Sequence, residues 1–413
     1  MKKILYIVSN PFSYSRSPVG GNISSASGVI MGFVQQGYYV DIVTDSLIPS
    51  IDTENDKIKI IYYPLRILRM LTPINFKGFI GKVFKKIDNW LFQISMKKKV
   101  NSLVKNTDYD FCYMRSSYNG GAITNILQDK NLSLVLEVNK PLSMGPFNNK
   151  DTLDWPDDRG LVKAPVAEIK QYDAATLITV DSTLRANWIT EFVDSSYQEK
   201  MIINYNGVNT KMFKPSLSKN DILDESILAD DDILVGMASS FRWYNDIDEL
   251  CKIYSKALAQ IDNLKFLFIV GNKEKELELQ IKTNEYSLNN STIILYQVPF
   301  SQMPSTLNSC DILVSHFNFH GKWPHNCSIK HLEYLSMGKA TIATNVGEVN
   351  FAITDGVDGF LCEQGNIDDF ADKIVELAKK PELRKKLGKA ARQKAEKELD
   401  WSLNVENILN HLN

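Results

Sequence analysis

The chain has 413 residues, of which 44% are hydrophobic and 23% are charged, so it is long enough for two or three domains that each bury a core. Its 47 basic and 49 acidic side chains give a net charge of −2, which removes the electrostatic reason to expect nucleic acid as a partner. The five cysteines include no C-x-x-C pair, which argues for a reducing compartment and against a disulfide or zinc framework.

Apolar runs and helical patterns alternate through the first half of the chain and predict a parallel sheet. The apolar run from Ile4 to Val8 is too short for an export signal, and no run reaches the length of a membrane span, so we expect a cytoplasmic protein. A loop with Gly20 and Gly21 follows the first strand, but its glycines do not fit G-x-G-x-x-G, so a dinucleotide site is not expected. Strands are predicted at 3–9, 39–44, 110–114, 133–138, 175–181 and 201–205, and helices at 23–36 and around 166–172.

Residues 66–105 form a basic segment, with ten Lys or Arg against one acid, Asp88. Aromatic residues such as Phe79, Trp90 and Phe92 lie between the lysines, and the pattern predicts a pair of helices. Such a composition is typical of a segment that rests on an anionic membrane surface. It is also typical of ordinary helices that bury Phe and Trp while their lysines face water, and both interpretations stay open.

The composition becomes polar and acidic after Pro215, and we place a domain boundary there, with domains at 1–214 and 215–400. A second set of alternating elements predicts a second doubly wound parallel sheet. Its strands are predicted at 233–238, 264–270, 293–297, 312–315 and 341–344, and its helices at 247–259, 274–282 and 367–379. A charged helix from 382, a break near Asp400 and a last helix at 402–413, expected to pack back onto the first domain, complete the chain. Two such domains leave a cleft between the carboxyl ends of their strands, where we expect the site.

The stretch 322–347 predicts a helix, a turn and a strand. Asn326 or Ser328 can cap the helix, an apolar stripe recurs at helical spacing, and Gly338 supplies a left-handed stop before the strand at 340–344. Lys330 falls in the first turn, where N–H groups already carry partial positive charge and another cation is disfavoured.

A bound anion would relieve this unfavourable position of Lys330. Glu333 lies one turn further on, but Lys before Glu is the weaker orientation for a helical ion pair. We therefore predict a phosphate clasped by Lys330 at the free N–H groups of the helix. These N–H groups belong to Cys327, Ser328 and Ile329. The alternative is a solvated Lys330 and Glu333 on an ordinary amphipathic helix.

Five motifs occur in order along the chain: N-G-V-x-x-x-x-F-x-P at 206–215, I-V-G at 269–271, C-D-I-L-V at 310–314, K-x-L-E-Y-x-x-x-G-K at 330–339 and G-x-x-G-F-L at 356–361. Together they resemble the retaining glycosyltransferases of family 4, strongly from about residue 200 and more loosely before it. The resemblance implies the GT-B fold, an α/β architecture in which two Rossmann-like doubly wound parallel-sheet domains face each other across a cleft. It also implies a nucleoside-diphosphate sugar as donor in the second domain, an acceptor in the first, and transfer that retains the anomeric configuration without a metal or other cofactor.

The resemblance assigns roles in the donor site. In the family's E-x7-E motif the second acid binds the donor's ribose, and Glu333 occupies that position. The first acid contacts the donor sugar, but here the position is His325, so the sugar contacts depart from the family pattern. The family's basic pair on the diphosphate would fall at Ser240 and Asn245, neither of which is basic.

We predict that Arg242, together with Lys330, replaces the basic pair. Cleaving a glycosyl phosphate leaves charge on the departing oxygen, which cations and helix N–H groups in a closed cleft stabilise. Gly20 and Gly21 would let the first loop approach the diphosphate from the other side. No catalytic carboxylate pair is assigned.

On the acceptor side we expect Glu137 and Asn139, at the end of a strand of the first sheet. Their alternative roles are strand-end packing and a turn cap. Zinc is not predicted, because the histidines near Cys327 straddle a strand end, a loop and a helix, and loop or surface positions are expected for them. These histidines are His316, His320, His325 and His331.

The resemblance thus implies a hexosyltransferase of polysaccharide biosynthesis in the cytoplasm, and the basic segment leaves open whether it lies at the inner face of the cell membrane. Its acceptor would be a glycan, a glycolipid or a protein-linked glycan. Two rivals share the fold: a weakly active subunit that binds and activates a partner transferase, and a nucleotide-sugar epimerase. The missing first acid and the displaced basic pair motivate the first rival.

Overall fold

The structure is a computed structural model that describes residues 1–8, 21–44, 51, 54–62, 79–144, 164–216, 228–241, 245–318 and 328–412. For residues 21–24, 79–86, 88 and 89 it describes the backbone alone. Two parallel sheets form the framework, and helices cover both faces of each.

The first sheet has seven parallel strands in the order β3-β2-β1-β4-β5-β6-β7. Its central strands are continuous apolar runs, as expected when helices cover both faces. The prediction missed β3, an edge strand with one neighbour, because Lys59 and Tyr62 stay exposed and interrupt its apolar pattern. The strands are β1 (Lys3–Ile7), β2 (Tyr39–Thr44), β3 (Ile58–Tyr62), β4 (Phe111–Arg115), β5 (Leu134–Val138), β6 (Leu177–Val180) and β7 (Met201–Ile203).

The helices of the first half are α1 (Gly21–Gln35), α2 (Phe79–Asn106), α3 (Thr124–Gln128), α4 (Val166–Ala174) and α5 (Thr183–Trp188), and α5 runs on into a π-helical turn, Ile189–Val193. The predicted pair of basic helices is wrong for residues 79–106, which form one helix of 28 residues. No Gly or Pro occurs between residues 82 and 106, so nothing interrupts that helix. Residues 66–78 lie outside the described residues. None of the described helices is long and apolar enough to cross a bilayer.

The second sheet has six parallel strands in the order β10-β9-β8-β11-β12-β13. Both sheets therefore share the doubly wound arrangement, with a switch point between β1 and β4 in one and between β8 and β11 in the other. The prediction of two such sheets is confirmed, but it missed β13, a three-residue edge strand. The strands are β8 (Ile233–Ser239), β9 (Leu264–Val270), β10 (Thr292–Tyr296), β11 (Ile312–Ser315), β12 (Ala340–Thr344) and β13 (Phe360–Cys362). The helices are α6 (Ile247–Leu258), α7 (Lys273–Glu285), α8 (Met303–Asn308), α9 (Ile329–Ser336), α10 (Val349–Ala352) and α11 (Ile367–Lys379).

The tail forms α12 (Pro381–Glu398) and α13 (Trp401–Leu412), with the predicted break at Asp400. Helix α13 packs against α1, where Gly32 lets the two backbones approach: a Cβ on it would lie 2.7 Å from Cγ2 of Val405. Trp401 and Val405 thereby join the same core as β1 and β2. The last helix thus lies on the first sheet, while the boundary between residues 214 and 215 stays a prediction.

Candidate functional site

Helix α9 begins at the switch-point edge of the second sheet. Ser328 stands at its N-cap position with extended backbone (φ −71°, ψ 136°), and Ile329 is its first residue. Gly338 has φ +65° and turns the chain toward β12, a conformation that favours glycine because it has no Cβ. The predicted helix, turn and strand are confirmed for residues 328–344.

Lys330 is half-buried in the first turn of α9. Its Nζ donates to Oγ of Ser239, 3.3 Å away, and lies 4.8 Å from the centre of the Phe317 ring. Burial lowers the pKa of Lys330 to about 8, against the opposing effect of Glu333 nearby. The site therefore contains a partly desolvated ammonium that a bound anion would stabilise.

The carboxyl end of β8 supports this lysine. Ser239 Oγ donates to Oδ1 of Asn245 at 2.8 Å, and Nδ2 of Asn245 donates to the main-chain oxygen of His316 at 2.7 Å. Asn245 is buried, so the position where the resemblance places a basic residue carries an amide that is committed to internal hydrogen bonds. Sequence reasoning missed Ser239. Its available signal was a hydroxyl directly after an apolar strand.

The prediction that the histidines occupy loop or surface positions is wrong for His331, which is buried in α9, whereas His316 does lie in the loop after β11; each is 2% exposed. His316 Nε2 lies 3.0 Å from Oε1 of Glu249, and His331 Nε2 lies 2.8 Å from Oγ of Ser315. Burial, with a smaller effect of the Lys330 charge, lowers the pKa of His331 to about 3, so its ring is neutral. Among the residues that the structure describes, no group of three His, Cys, Asp or Glu could hold a metal ion.

Four of the five predicted donor-site residues that the structure describes lie near one another. Ser328, Ile329, Lys330 and Glu333 share the first turns of α9. Gly21 is the first residue of α1, and α1 approaches α9 from the first sheet's side of the cleft. The other predicted donor residues lie outside the described residues: Gly20, Arg242, His325 and Cys327.

Glu137 and Asn139, predicted on the acceptor side, line one cleft at the carboxyl end of β5. Glu137 is buried, and Arg115 holds both of its carboxylate oxygens, with Nε and Nη2 each 2.7 Å from an oxygen. Glu137 thus pairs with Arg115 inside the protein, as the packing interpretation requires, and sequence reasoning missed this partner. The signal was an arginine that ends the apolar strand β4. Asn139 is half-buried and carries no such pair among the described contacts.

Loops at the carboxyl ends of the two sheets meet at Glu348, which follows β12. Its Oε1 accepts from the main-chain N–H of Thr183, at 2.8 Å, where α5 begins. Burial lowers the pKa of Arg185 to about 10, and the nearby Glu348 opposes that shift. Tyr205 and Phe351 stack nearby with ring centres 4.0 Å apart, which adds a ring contact to the hydrogen bond at Glu348.

Comparison with known sequences gives a family match and partial relatives. Residues 218–394 match the family model of the glycosyl transferases group 1. An uncharacterized glycosyltransferase of Methanocaldococcus jannaschii is 26% identical over 215 residues, which are 51% of this chain and 53% of that protein. A capsular polysaccharide biosynthesis glycosyltransferase of Staphylococcus aureus is 23% identical over 231 residues, 55% of this chain and 59% of that protein. The chain thus spans just over half the length of these curated relatives.

Solved structures resemble the whole chain. A glycosyltransferase of Rickettsia africae aligns with a TM-score of 0.68 at 17% identity and covers 99% of this chain and 97% of its own. An Anabaena protein crystallised with UDP-glucose aligns with a TM-score of 0.69 at 15% identity, covering 100% of this chain and 99% of its own. At such identity the likeness shows the fold, and the predicted GT-B architecture is confirmed.

Proposed function

We propose, on the premise that residues 218–394 belong to the glycosyl transferases of group 1, that this chain is a hexosyltransferase. It moves a sugar from a nucleoside-diphosphate sugar to a glycan, a glycolipid or a protein-linked glycan, with retention of the anomeric configuration and without a metal. The observation that carries the proposal is the half-buried ammonium of Lys330 in the first turn of α9, held 3.3 Å from Oγ of Ser239. It lies beside the switch point of the second sheet, where doubly wound folds bind ligands.

In the proposed reaction the bond between the anomeric carbon and a phosphate oxygen breaks, and negative charge develops on that oxygen. Lys330, the N–H groups at the start of α9 and Arg242 stabilise this charge. Lys330 contributes most when it is protonated, and the arriving diphosphate itself raises its pKa. Glu333, one turn along the helix, accepts hydrogen bonds from the ribose hydroxyls.

The comparisons support the choice of substrates. The Anabaena protein of the same fold was crystallised with UDP-glucose, which supports a nucleoside-diphosphate sugar as donor. The Staphylococcus aureus relative is named for capsular polysaccharide biosynthesis, which supports a polysaccharide or its lipid-linked precursor as acceptor. We place the acceptor on the first sheet's side of the cleft, beside Glu137 and Asn139.

The test is a panel of UDP, GDP, ADP and their sugars, measured by calorimetry for binding and by product analysis for transfer. We expect at least one nucleotide to bind with micromolar affinity, and Lys330→Ala and Glu333→Ala each to weaken it at least about tenfold. Ser309→Ala is the matched control. The hydroxyl of Ser309, which precedes β11, donates to the main-chain oxygen of Ser305. A wild-type protein that binds no member of the panel would refute the proposal.

One competing function has a specific observation in its favour: Asn245 is buried and hydrogen-bonded where the resemblance expects a cation. In this competing function the protein is a subunit that activates a partner transferase. This function predicts that Glu333→Ala and Arg242→Ala leave the activity of the complex unchanged. The epimerase alternative is an outcome of the same assay, since an epimerase converts the sugar nucleotide without any acceptor.

We further propose that α2 carries the protein to the anionic inner face of a membrane. Its inward side is buried at Phe92, Met96 and Val100, but its outward side exposes Trp90 by 60% and Leu91 by 45%. Exposed lysines follow on that outward face about two turns later, at Lys97 and Lys98. An apolar stripe next to cations matches a surface of acidic lipid headgroups.

Sedimentation with vesicles that contain phosphatidylglycerol tests this surface. The double variant Trp90→Ala/Leu91→Ala should lose most of the vesicle-bound fraction at low salt. Leu277→Ala is the control, because Leu277 is 57% exposed on α7, which packs on the other sheet. Wild-type protein that stays in the supernatant at low salt would rule the membrane surface out.

A further inference from the structure

A chain of hydrogen bonds leads from the proposed phosphate-binding lysine into the core of the second lobe, by which we mean the second sheet with the helices that cover it; the first lobe is the first sheet with its helices. It passes from Lys330 to Ser239 at 3.3 Å, from Ser239 to Asn245 at 2.8 Å, and from Asn245 to the main-chain oxygen of His316 at 2.7 Å. The chain joins α9, the carboxyl end of β8 and the loop after β11. Its three segments are distant in sequence and meet at the switch point of the sheet.

The chemistry of the groups sets the direction of every bond. The oxygen of His316 can only accept, so the amide nitrogen of Asn245 faces it and the amide oxygen faces Ser239. The Ser239 hydroxyl donates its single proton to that oxygen. Its lone pairs then accept from Lys330 and from the main-chain N–H of Phe241, at 3.2 Å. The direction of each hydrogen bond along this chain is therefore fixed, and the Ser239 hydroxyl donates once and accepts twice.

The far end of the chain is anchored by buried groups. His316 is 2% exposed, and its ring contacts Oε1 of Glu249 at 3.0 Å. Asn318 donates to the other oxygen of Glu249. Burial raises the pKa of Glu249, but the hydrogen bonds from His316 and Asn318 outweigh it and leave that pKa below its usual range. The anchor is therefore a charged carboxylate with both oxygens engaged, which holds the His316 segment in place.

We propose that Ser239 and Asn245 are positioning residues that hold the Lys330 ammonium where the diphosphate of the donor binds. The inference rests on the proposed function and deepens it. Asn245 occupies the position at which the resemblance puts a cation on the diphosphate, and here it acts on the diphosphate through Lys330. Helix α9 thus supplies the cation, Lys330, and Ser239 at the end of β8 fixes its position.

This role has a consequence for the pH dependence of the reaction. Ser239 Oγ accepts a hydrogen bond from the charged form of Lys330, so its removal lowers the pKa of that lysine further. The other ionisable groups that face Lys330 in the described structure are Glu333, which raises its pKa, and His331, which is neutral. The alkaline limb of donor binding should therefore move to lower pH in Ser239→Ala and disappear in Lys330→Arg, since Arg stays charged.

The experiment measures donor KM, kcat and their pH profiles for wild type, Ser239→Ala, Asn245→Ala and the control Ser309→Ala. We expect the first two variants to raise the donor KM about tenfold and to shift the alkaline limb down by at least about half a pH unit. The control should match wild type in both. Thermal melting identifies any variant that fails to fold. If Asn245→Ala fails to fold, Ser239→Ala still tests the proposal, because it removes only one oxygen atom.

A second readout needs no substrate. The rate of trace acetylation of Lys330 against pH, followed by mass spectrometry, reports the pKa of the lysine in the free protein. Ser239→Ala should give a lower pKa than wild type, whether or not a donor has been identified. Suppose that wild type transfers sugar and that both variants keep its donor KM, the pH of its alkaline limb and its acetylation profile. That result would overturn the inference and leave the proposed function standing. Absence of donor binding in wild type would refute the proposed function and, with it, the role of Ser239 and Asn245 in donor binding, and the acetylation profile would then test only the coupling of Ser239 to Lys330.

Discussion

Replacing Lys330 with methionine should stabilise the protein while it weakens donor binding. Burial lowers the pKa of this lysine from 10.5 to about 8, and one pKa unit corresponds to about 1.36 kcal/mol, so charging it in the folded state costs at most about 3 kcal/mol. The side chain keeps partial access to water, and it loses a hydrogen bond to Ser239 on substitution, so we expect a net gain of about 1–2 kcal/mol at pH 7. Such a gain corresponds to a rise in melting temperature of about 2–8 °C.

The sign of the pH dependence follows from the same shift. The folded-state pKa lies below the unfolded value, so the penalty is complete below about pH 8 and disappears as the pH rises toward 10.5. The difference in melting temperature between Lys330→Met and wild type should therefore shrink between pH 8 and pH 10.5. Differential scanning calorimetry at pH 7 and pH 10 measures it.

Two further measurements make the prediction specific. Lys386→Met, at an exposed position of α12, should leave the melting temperature within about 1 °C of wild type. The same nucleotide concentration should raise the melting temperature of wild type more than that of Lys330→Met, because ligand stabilisation falls as the dissociation constant rises. A Lys330→Met protein that melts lower than wild type at pH 7, or that still binds nucleotide at full affinity, would refute the reasoning.

Two other predictions concern packing and the contact between the lobes. Gly32→Ala should destabilise the protein by roughly 1–3 kcal/mol in urea unfolding, although helix propensity alone favours Ala, because its Cβ would lie 2.8 Å from the main-chain oxygen of Trp401. Gly271→Ala is the control, since nothing lies within 4 Å of a Cβ there, and an equal loss in both variants would contradict the packing argument. Glu348→Ala should loosen the lobes, because it removes the acceptor for the N–H of Thr183, and small-angle scattering should show a larger radius of gyration than wild type. A radius unchanged in the absence of ligand would mean that this contact does not hold the lobes together.

Local patterns along the chain determined the fold. Apolar runs predicted the strands 264–270 and 312–315 at their observed bounds, and helical spacing did the same for 367–379. Gly338 marked the end of α9 because a left-handed turn favours the residue without a Cβ. Such features depend on neighbours a few residues away, so a single sequence contains them. Strand β3 was missed because its exposed Lys59 and Tyr62 weaken the apolar signal, and β13 was missed because it has only three residues.

The sequence by itself thus determined two doubly wound sheets and the place of Lys330 in the first turn of α9. Only the tertiary structure decided what surrounds that lysine, because the parallel order of β8, β11 and the start of α9 brings together residues 91 positions apart, Ser239 and Lys330. The same applies to Arg115 and Glu137, which pair across β4 and β5. Hydrogen bonds and ion pairs between strand ends depend on strand order and register, and these follow from how whole helices and sheets pack rather than from any local pattern.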